Sequence, residues 1–391
     1  VAGPKELIEK IDKYIIHHEG CANQPGQWGW LSSIKAGNGH LKAGLAVLLD
    51  RLDTLSNSLN DIPGVTHVKP KSGFYVWANF SQLLNALDYE TVEKFRSEAL
   101  EEVGIGAATE DHFGVPQPGN KDRFIRFAFS GISKSSISEG MNVFQNWIRY
   151  GIAYPKIKDQ NTLVLGGGII GKLLTERLSS ALNENRTTLV TRHASSFESQ
   201  KALVAPSIET ISFGLDTIST SPDIIFVSTQ VDDFERTISN IRSAIKGDKT
   251  KKIILFQNGI DPEEKIREAF PHNPIARVII SVQVKYGKEK TPEREVTIQE
   301  SIEQEEFGQS THNFKNKPIL IPKEISWEFG VVQEGKESVS GTLKTYLTYL
   351  SSFLNESAGF KGCEVVDNIE IKQWIKYFKN MGNIGSLSIA L

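Results

Sequence analysis

Apolar residues recur at helical spacing over Lys5–His17 and Gly39–Asn60, then at a period of two over Gly73–Phe80. A further helix is predicted over Tyr89–Val103, a strand over Arg123–Ser130 and an amphipathic helix through the stretch SSISEGMNVFQNWIRYGI. The first 150 residues therefore predict an α+β unit. Residues 151–160, polar and containing Pro155, are expected to be a linker.

Beyond it the pattern alternates. Short apolar runs (NTLVL, TTLVT, DIIFVS, KIILF, RVIISV) take turns with helical stretches at Ile169–Leu182 and Phe234–Ala244. Strands alternating with helices of this length predict βαβ units and a parallel sheet over residues 161–335. Within that span, Lys285–Asn313 is polar and charged, as edge strands and loops are. Past Ser338, Leu343, Tyr346, Leu347, Leu350, Phe353 and Leu354 fall on one helical face, so residues 336–391 are expected to open a helical domain. The expected fold is α/β: a Rossmann-like parallel sheet with the start of a helical domain, preceded by a small α+β unit.

Composition narrows the partners. Charges nearly cancel, 44 basic against 47 acidic residues, which points away from nucleic acid and anionic membranes and toward a small molecule. No apolar run is long enough to span a bilayer, and cytoplasm is the default compartment. Cys21 and Cys363 are the only cysteines, too few and too far apart for a disulfide framework or a zinc cluster, and no metal is expected. Val1 opens directly into an amphipathic pattern and Leu391 closes inside an apolar stretch, so both ends read as cut from something longer.

The densest chemical signal is LVLGGGIIGKLLTERL, in which Gly166, Gly168 and Gly171 form G-x-G-x-x-G between a strand and an amphipathic helix. The first glycine permits a tight turn, the second lets the backbone approach a pyrophosphate, and the third lets helix and strand pack closely. Where an acid would hold the ribose hydroxyls of NAD, the second strand ends instead in Thr191, Arg192 and His193. A guanidinium there suits the 2′-phosphate of NADP, because its planar donors pair with phosphate oxygens.

From these residues onward, residues 161–391 resemble the ketopantoate reductase family, with its motif order GGGIIG, TLVTRH, DIIFVSTQ, FQNGIDPEE and NIEIKQWIKYFKN. The resemblance implies that Asn258 sits beside the nicotinamide and substrate, that Lys376 is the acid and that Asn380 binds substrate. Asn383 is the nearest candidate for a further asparagine, whose expected place Ile384 occupies. Reduction of a 2-keto acid builds negative charge on the carbonyl oxygen, so a proton donor must wait there. Lys376 and Asn380, four apart on a predicted helix, share a face. Two departures weigh against activity of the chain alone: Gln230 replaces the family's strand-end lysine, and the family's later serine and glutamate would lie beyond Leu391.

Residues 1–150 resemble the C-terminal part of class I/II pyridoxal-phosphate aminotransferases, fold type I, through VAGPKELIEKI, GHLKAGLAVLLDRLDTL, PKSGFYVWANF and GVPQPGNKDRFIRFAFS. The resemblance makes Arg126 the substrate-carboxylate arginine. Alternation agrees, since Ile125, Phe127 and Phe129 share one strand face and Arg126 projects from the other. The family's cofactor lysine and phosphate cup would precede Val1, so pyridoxal phosphate is expected only in a longer form. The small domain would also lack its usual cover, and exposed apolar surface would favour association of copies. Three readings follow: a fused protein with an NADPH-dependent 2-keto acid reductase module, an aminotransferase completed by residues outside the chain, and an inactive fragment.

Overall fold

The computed structural model describes residues 3–18, 23–114, 119, 121–191, 209–212, 221–229, 233–257, 262–280, 285–286, 307–314, 317–322, 327–335, 341–360 and 362–376. Three helices come first, α1 (Lys5–His18), α2 (Gln24–Lys35) and α3 (Gly39–Asn60). The α3 bounds are those its sequence pattern predicts. Neither α1 nor α2 buries a residue, and Trp28 and Trp30 stand 69% and 72% exposed. This is the uncovered apolar surface expected of the first segment.

A four-stranded antiparallel sheet follows, ordered β1 (Thr66–His67), β2 (Tyr75–Asn79), β4 (Phe124–Ala128), β3 (Ala108–Thr109). Against it pack α4 (Ser81–Ala86), α5 (Val92–Val103) and α6 (Lys134–Asn146) around Phe80, Phe95, Phe127 and Phe144. Good caps fix the helix ends. Thr91 and Ser133 accept from the backbone N–H of Lys94 and Ser136, and Gly104 closes α5 in the left-handed region.

The segment expected to be a linker is packed helix instead. After α6 the chain passes through a π-helical turn, Trp147–Ala153, straight into α7 (Tyr154–Lys158), burying Ile152, Ala153, Tyr154 and Ile157. Pro155 is the source of the difference. It stands at the start of α7, where a missing N–H costs little, and the wider turn before it lets the Tyr154 N–H reach the Arg149 carbonyl.

The large sheet has eight strands, in the order β15 (Cys363–Val365), β14 (Trp327–Gln333), β10 (Ile275–Ile280), β9 (Lys252–Leu255), β8 (Ile224–Val227), β5 (Thr162–Leu165), β6 (Thr187–Thr191), β7 (Glu209–Ser212). From β5 to β10 all neighbours are parallel, in the 3-2-1-4-5-6 order of a dinucleotide-binding Rossmann sheet. Then β14 runs antiparallel to β10, and β15 pairs parallel to β14. A separate three-stranded sheet is formed by β11 (Lys285–Tyr286), β13 (Lys317–Pro322) and β12 (Phe307–Phe314); β11 and β12 begin in the stretch expected to hold edge strands and loops, and β13 lies beyond it.

Alternation along the strands divides the core in two. Leu163, Leu165, Val190, Ile225 and Val227 face α9 (Phe234–Ile245) and α10 (Pro262–Ala269). Val164, Leu189 and Phe226 face the other way, toward α8 (Ile169–Ala181), α11 (Thr342–Glu356) and the first segment. That second core is continuous from Leu52 to Cys363. Tyr154 meets Phe353 edge to face at 5.3 Å, the Tyr346 hydroxyl donates to Gln160 Oε1 at 2.5 Å, and Arg149 pairs with Glu356 at 3.6 Å. The chain ends its described part in α12, residues 369–376.

Candidate functional site

Three glycines turn the end of β5 into the start of α8. Gly166 takes φ +114°, and a Cβ on it would lie 2.8 Å from the Ser228 backbone carbon. A Cβ on Gly171 would lie 1.8 Å from the Gly166 carbonyl oxygen, so the turn and the helix can touch only without one. The Ser228 hydroxyl, 3.0 and 3.2 Å from the Leu165 and Gly166 carbonyl oxygens, clamps the turn from β8.

Gly168 is different. It has φ −71° and ψ −177°, open to any residue, and a Cβ there would meet nothing within 4 Å. Packing among the described residues gives no reason for a glycine at this position, whereas a ligand drawn against the backbone does. Gly168 also caps α8 with no side chain, leaving the first-turn N–H groups and the positive end of the helix dipole for an anion.

The rim continues along the C-terminal ends of the parallel strands. Thr191, buried, closes β6. Past β8 the Thr229 and Thr237 hydroxyls lie 2.9 Å apart, and Gln257 Nε2 donates to Thr229 Oγ1 at 3.0 Å. Gln257 Oε1 is buried and finds no donor among the described residues. An acceptor so placed can receive a ligand's N–H or O–H.

Beneath the rim lies Arg277, 3% exposed within the apolar strand IARVII. Its guanidinium forms an ion pair with Glu263 of α10 and donates from Nη2 to the Gln257 carbonyl at 3.0 Å. Burial holds its pKa below the usual arginine value, with Glu263 opposing the shift. Replacing Glu263 with Ala removes the carboxylate of this buried cation and is expected to cost about 3–5 kcal/mol. Urea unfolding measures it, and a loss under ~1 kcal/mol would mean that water already screens the pair.

Lys376 arrives from α12. Its Nζ donates to the Ile280 carbonyl at 2.7 Å, at the C-terminal end of β10. Burial first, and the positive Arg277 second, push its pKa below the ordinary lysine value. A lysine so destabilised as a cation gives up its proton more readily. The glycine loop and Lys376 thus share the C-terminal edge of one sheet, where ligands bind in open α/β sheets.

The other sequence-predicted residues divide. Arg192, Asn258, Asn380, Asn383 and Gln230 lie outside the described residues. Arg126 is described and stands apart from this edge, on β4 of the small sheet opposite Trp77. Its guanidinium is held between two rings, 4.0 Å from the Tyr75 centroid and 4.3 Å from that of Phe113. Ile125, Phe127 and Phe129 are buried on the opposite face, as the alternation predicted. Among the described residues no group of acidic, histidine or cysteine side chains could hold a metal ion, and no helix is long and apolar enough to cross a membrane.

Sequence reasoning passed over Ser228, Thr229, Glu263 and Arg277. One signal was available: a lone arginine inside IARVII must either face water or find a buried partner.

Residues 162–306 match the family model of ketopantoate reductase PanE/ApbA. The chain carries a ketopantoate reductase-like module on a Rossmann-like sheet. Solved structures similar to it include 2-dehydropantoate 2-reductase from Methylococcus capsulatus, with 21% identity, a TM-score of 0.37, and coverage of 55% of this chain and 60% of that one. D-mandelate dehydrogenase with NADH and anilino(oxo)acetate gives 17% identity and a TM-score of 0.39 over 55% of this chain and 60% of that one. A second likeness is to aminotransferases. The aspartate aminotransferase of Bacillus subtilis (strain 168) is 24% identical over 116 residues, 30% of each chain. The chain spans less than a third of the length of the curated relatives it matches and about 60% of these solved structures.

Proposed function

We propose that residues 161–335 bind NADPH across the glycine turn and that, with residues 336–391, they form a reductase acting on a 2-keto acid of the 2-dehydropantoate type. The observation that carries this reading is Gly168, a glycine with no steric partner among the described residues, at the mouth of a helix without a side-chain cap. The match of residues 162–306 to the ketopantoate reductase model supports the same reading.

When bound, NADPH would supply the hydride for the carbonyl. The chain's residues supply the rest. Backbone N–H groups at the start of α8 hold the pyrophosphate, and Arg192 pairs with the 2′-phosphate. Asn258 orients the nicotinamide side of the site, and Asn380 and Asn383 position the substrate. The Lys376 ammonium polarises the keto oxygen and passes it a proton, a transfer made easier by the burial that lowers its pKa. Because Lys376 must be protonated to act, activity is expected to fall with rising pH at a lower pH than an ordinary lysine would give.

Cofactor choice tests the role of Arg192. The two nicotinamide dinucleotides differ by the 2′-phosphate, which carries roughly two negative charges at neutral pH. A charge-assisted contact of ~1.5–3 kcal/mol predicts a preference for NADPH of about ten- to a hundredfold. Arg192→Ala is expected to erase most of that preference and leave NADH binding nearly unchanged. Titration of both cofactors by nucleotide fluorescence measures it, and equal affinities in the parent protein would contradict the assignment.

Amino-group transfer is the second reading, carried by the aminotransferase relatives and by Arg126 between Tyr75 and Phe113. In it Arg126 receives a substrate carboxylate, and pyridoxal phosphate is held by a longer form of the first segment. The exposed apolar faces of α1 and α2 support self-association in either reading.

A further inference from the structure

At the opposite edge of the large sheet, where the parallel strands begin, the first segment closes over a cavity of about 210 Å³. Lys252 opens β9 and Pro274 precedes β10, so this cavity lies at the N-terminal ends of the strands and the glycine turn at their C-terminal ends. Asn85, Ala86 and Asp88 line it from the first segment, and Thr342, Leu343 and Tyr346 from α11. It exists only because the two parts of the chain share a core.

Two polar groups in it lack hydrogen-bond partners among the described residues. The half-buried Lys252 ammonium sits over the Tyr346 ring, 4.5 Å from its centroid, with no hydrogen-bond acceptor among the described residues. Burial depresses its pKa against the pull of Asp88 and Asp223, which marks a cation short of solvation. The Thr342 hydroxyl oxygen is buried and also unpaired. A buried hydroxyl is nearly always satisfied, so the unpaired Thr342 oxygen, in the same cavity as the half-buried Lys252 ammonium, points to an occupant.

The walls state which kind. Lys249 and Lys252 line it together with Asp88 and Glu334, two cations and two anions, and His272 is the remaining titratable group of the wall. Glu334 is already fixed, accepting the Leu343 backbone N–H at 3.0 Å, while Asp88 stands exposed at the rim. Ala86, Pro274 and Leu343 give the remaining wall an apolar surface. A ligand with a net charge would unbalance this arrangement, whereas a zwitterion with a short apolar side chain matches it.

We propose that this cavity binds a free α-amino acid, its carboxylate against Lys252 and Thr342, its ammonium toward Asp88 and Glu334, and its side chain against Ala86, Pro274 and Leu343. The ligand would bridge the two parts of the chain and tighten their packing. This site stands independently of the reductase reading, since no residue of it lies on the nucleotide edge.

Calorimetric titration of the full chain with L-leucine, and with 4-methyl-2-oxopentanoate, the same skeleton without the ammonium, tests the proposal. L-leucine is expected to bind with a Kd of about 1 mM or tighter, and the oxo acid about tenfold more weakly. Lys252→Met, which replaces an unsatisfied amine by a side chain of similar shape, should fold and weaken L-leucine binding about tenfold or more. Thr342→Val, nearly isosteric, should weaken it several-fold and guards against a folding defect in the first variant. No heat with L-leucine at about 10 mM, an oxo acid that binds as tightly, or unchanged affinity in both variants would overturn the proposal, leaving water as the occupant.

Discussion

In any form of the protein that turns over a 2-keto acid with NADPH, Lys376→Ala is expected to lower kcat by about 10²–10⁴, the range for a positioned acid–base group. The geometry behind this is specific. Lys376 is anchored on the Ile280 carbonyl at the C-terminal end of β10, within the electrostatic reach of Arg277, and its burial lowers the cost of releasing a proton. Loss of the amine removes both the charge that polarises the oxygen and the proton that neutralises it. Binding of NADPH should be nearly unaffected, because the glycine turn is clamped by Ser228 rather than by Lys376. A variant whose turnover falls only in proportion to lost cofactor affinity would take Lys376 out of the chemistry and make it a structural tether between α12 and β10. The pH profile tests the same role independently. The parent should lose activity as alkali removes the Lys376 proton, and that limb should vanish in Lys376→Ala.

Much of this edge was readable from the sequence, and the reasons are physical. The apolar strand residues within NTLVL, TTLVT, DIIFVS and KIILF are buried on both faces, so each appears as a short apolar run of the kind a covered parallel strand shows. The glycine turn was legible because two of its glycines are forced by contact, Gly166 by Ser228 and Gly171 by the Gly166 carbonyl. By contrast β14, WEFGVVQ, carries a glutamate and a glycine that blur its period, and β15 has three residues, too few for any period. Gly330 in β14 has its own reason. A Cβ there would come within 2.2 Å of the Ile369 side chain, where α12 crosses the strand. α2 was missed because QPGQWGWLSSIK buries nothing, and a helix without a buried face leaves no stripe to find.

The partners of a site are harder to read than its ligand-facing groups. Glu263 and Arg277 are fourteen residues apart on a helix and a strand, and only the packing of α10 beneath β10 joins them. The same holds for the cavity at Lys252. Asp88, Lys252 and Thr342 belong to three distant stretches, and nothing local in any of them foretells a shared space. Residues 151–160 teach the converse lesson. A polar, proline-bearing stretch reads as a linker by composition, yet Tyr154 and Ile157 tie it into the core, Tyr154 through Phe353.

Gly168→Val should block a dinucleotide from lying against the glycine turn. Position 168 has an extended backbone that any residue adopts, and among the described residues nothing meets its Cβ, so the variant should fold, at a cost of about 1 kcal/mol for a β-branched residue at the helix N-cap. The added side chain would occupy the space through which the pyrophosphate approaches the backbone. NADPH titration by fluorescence is therefore expected to show binding in the parent and at least about a hundredfold weaker binding in Gly168→Val, a loss of ~2.7 kcal/mol, with both proteins folded. Undiminished NADPH binding by a folded Gly168→Val protein would mean that no dinucleotide lies against the glycine turn.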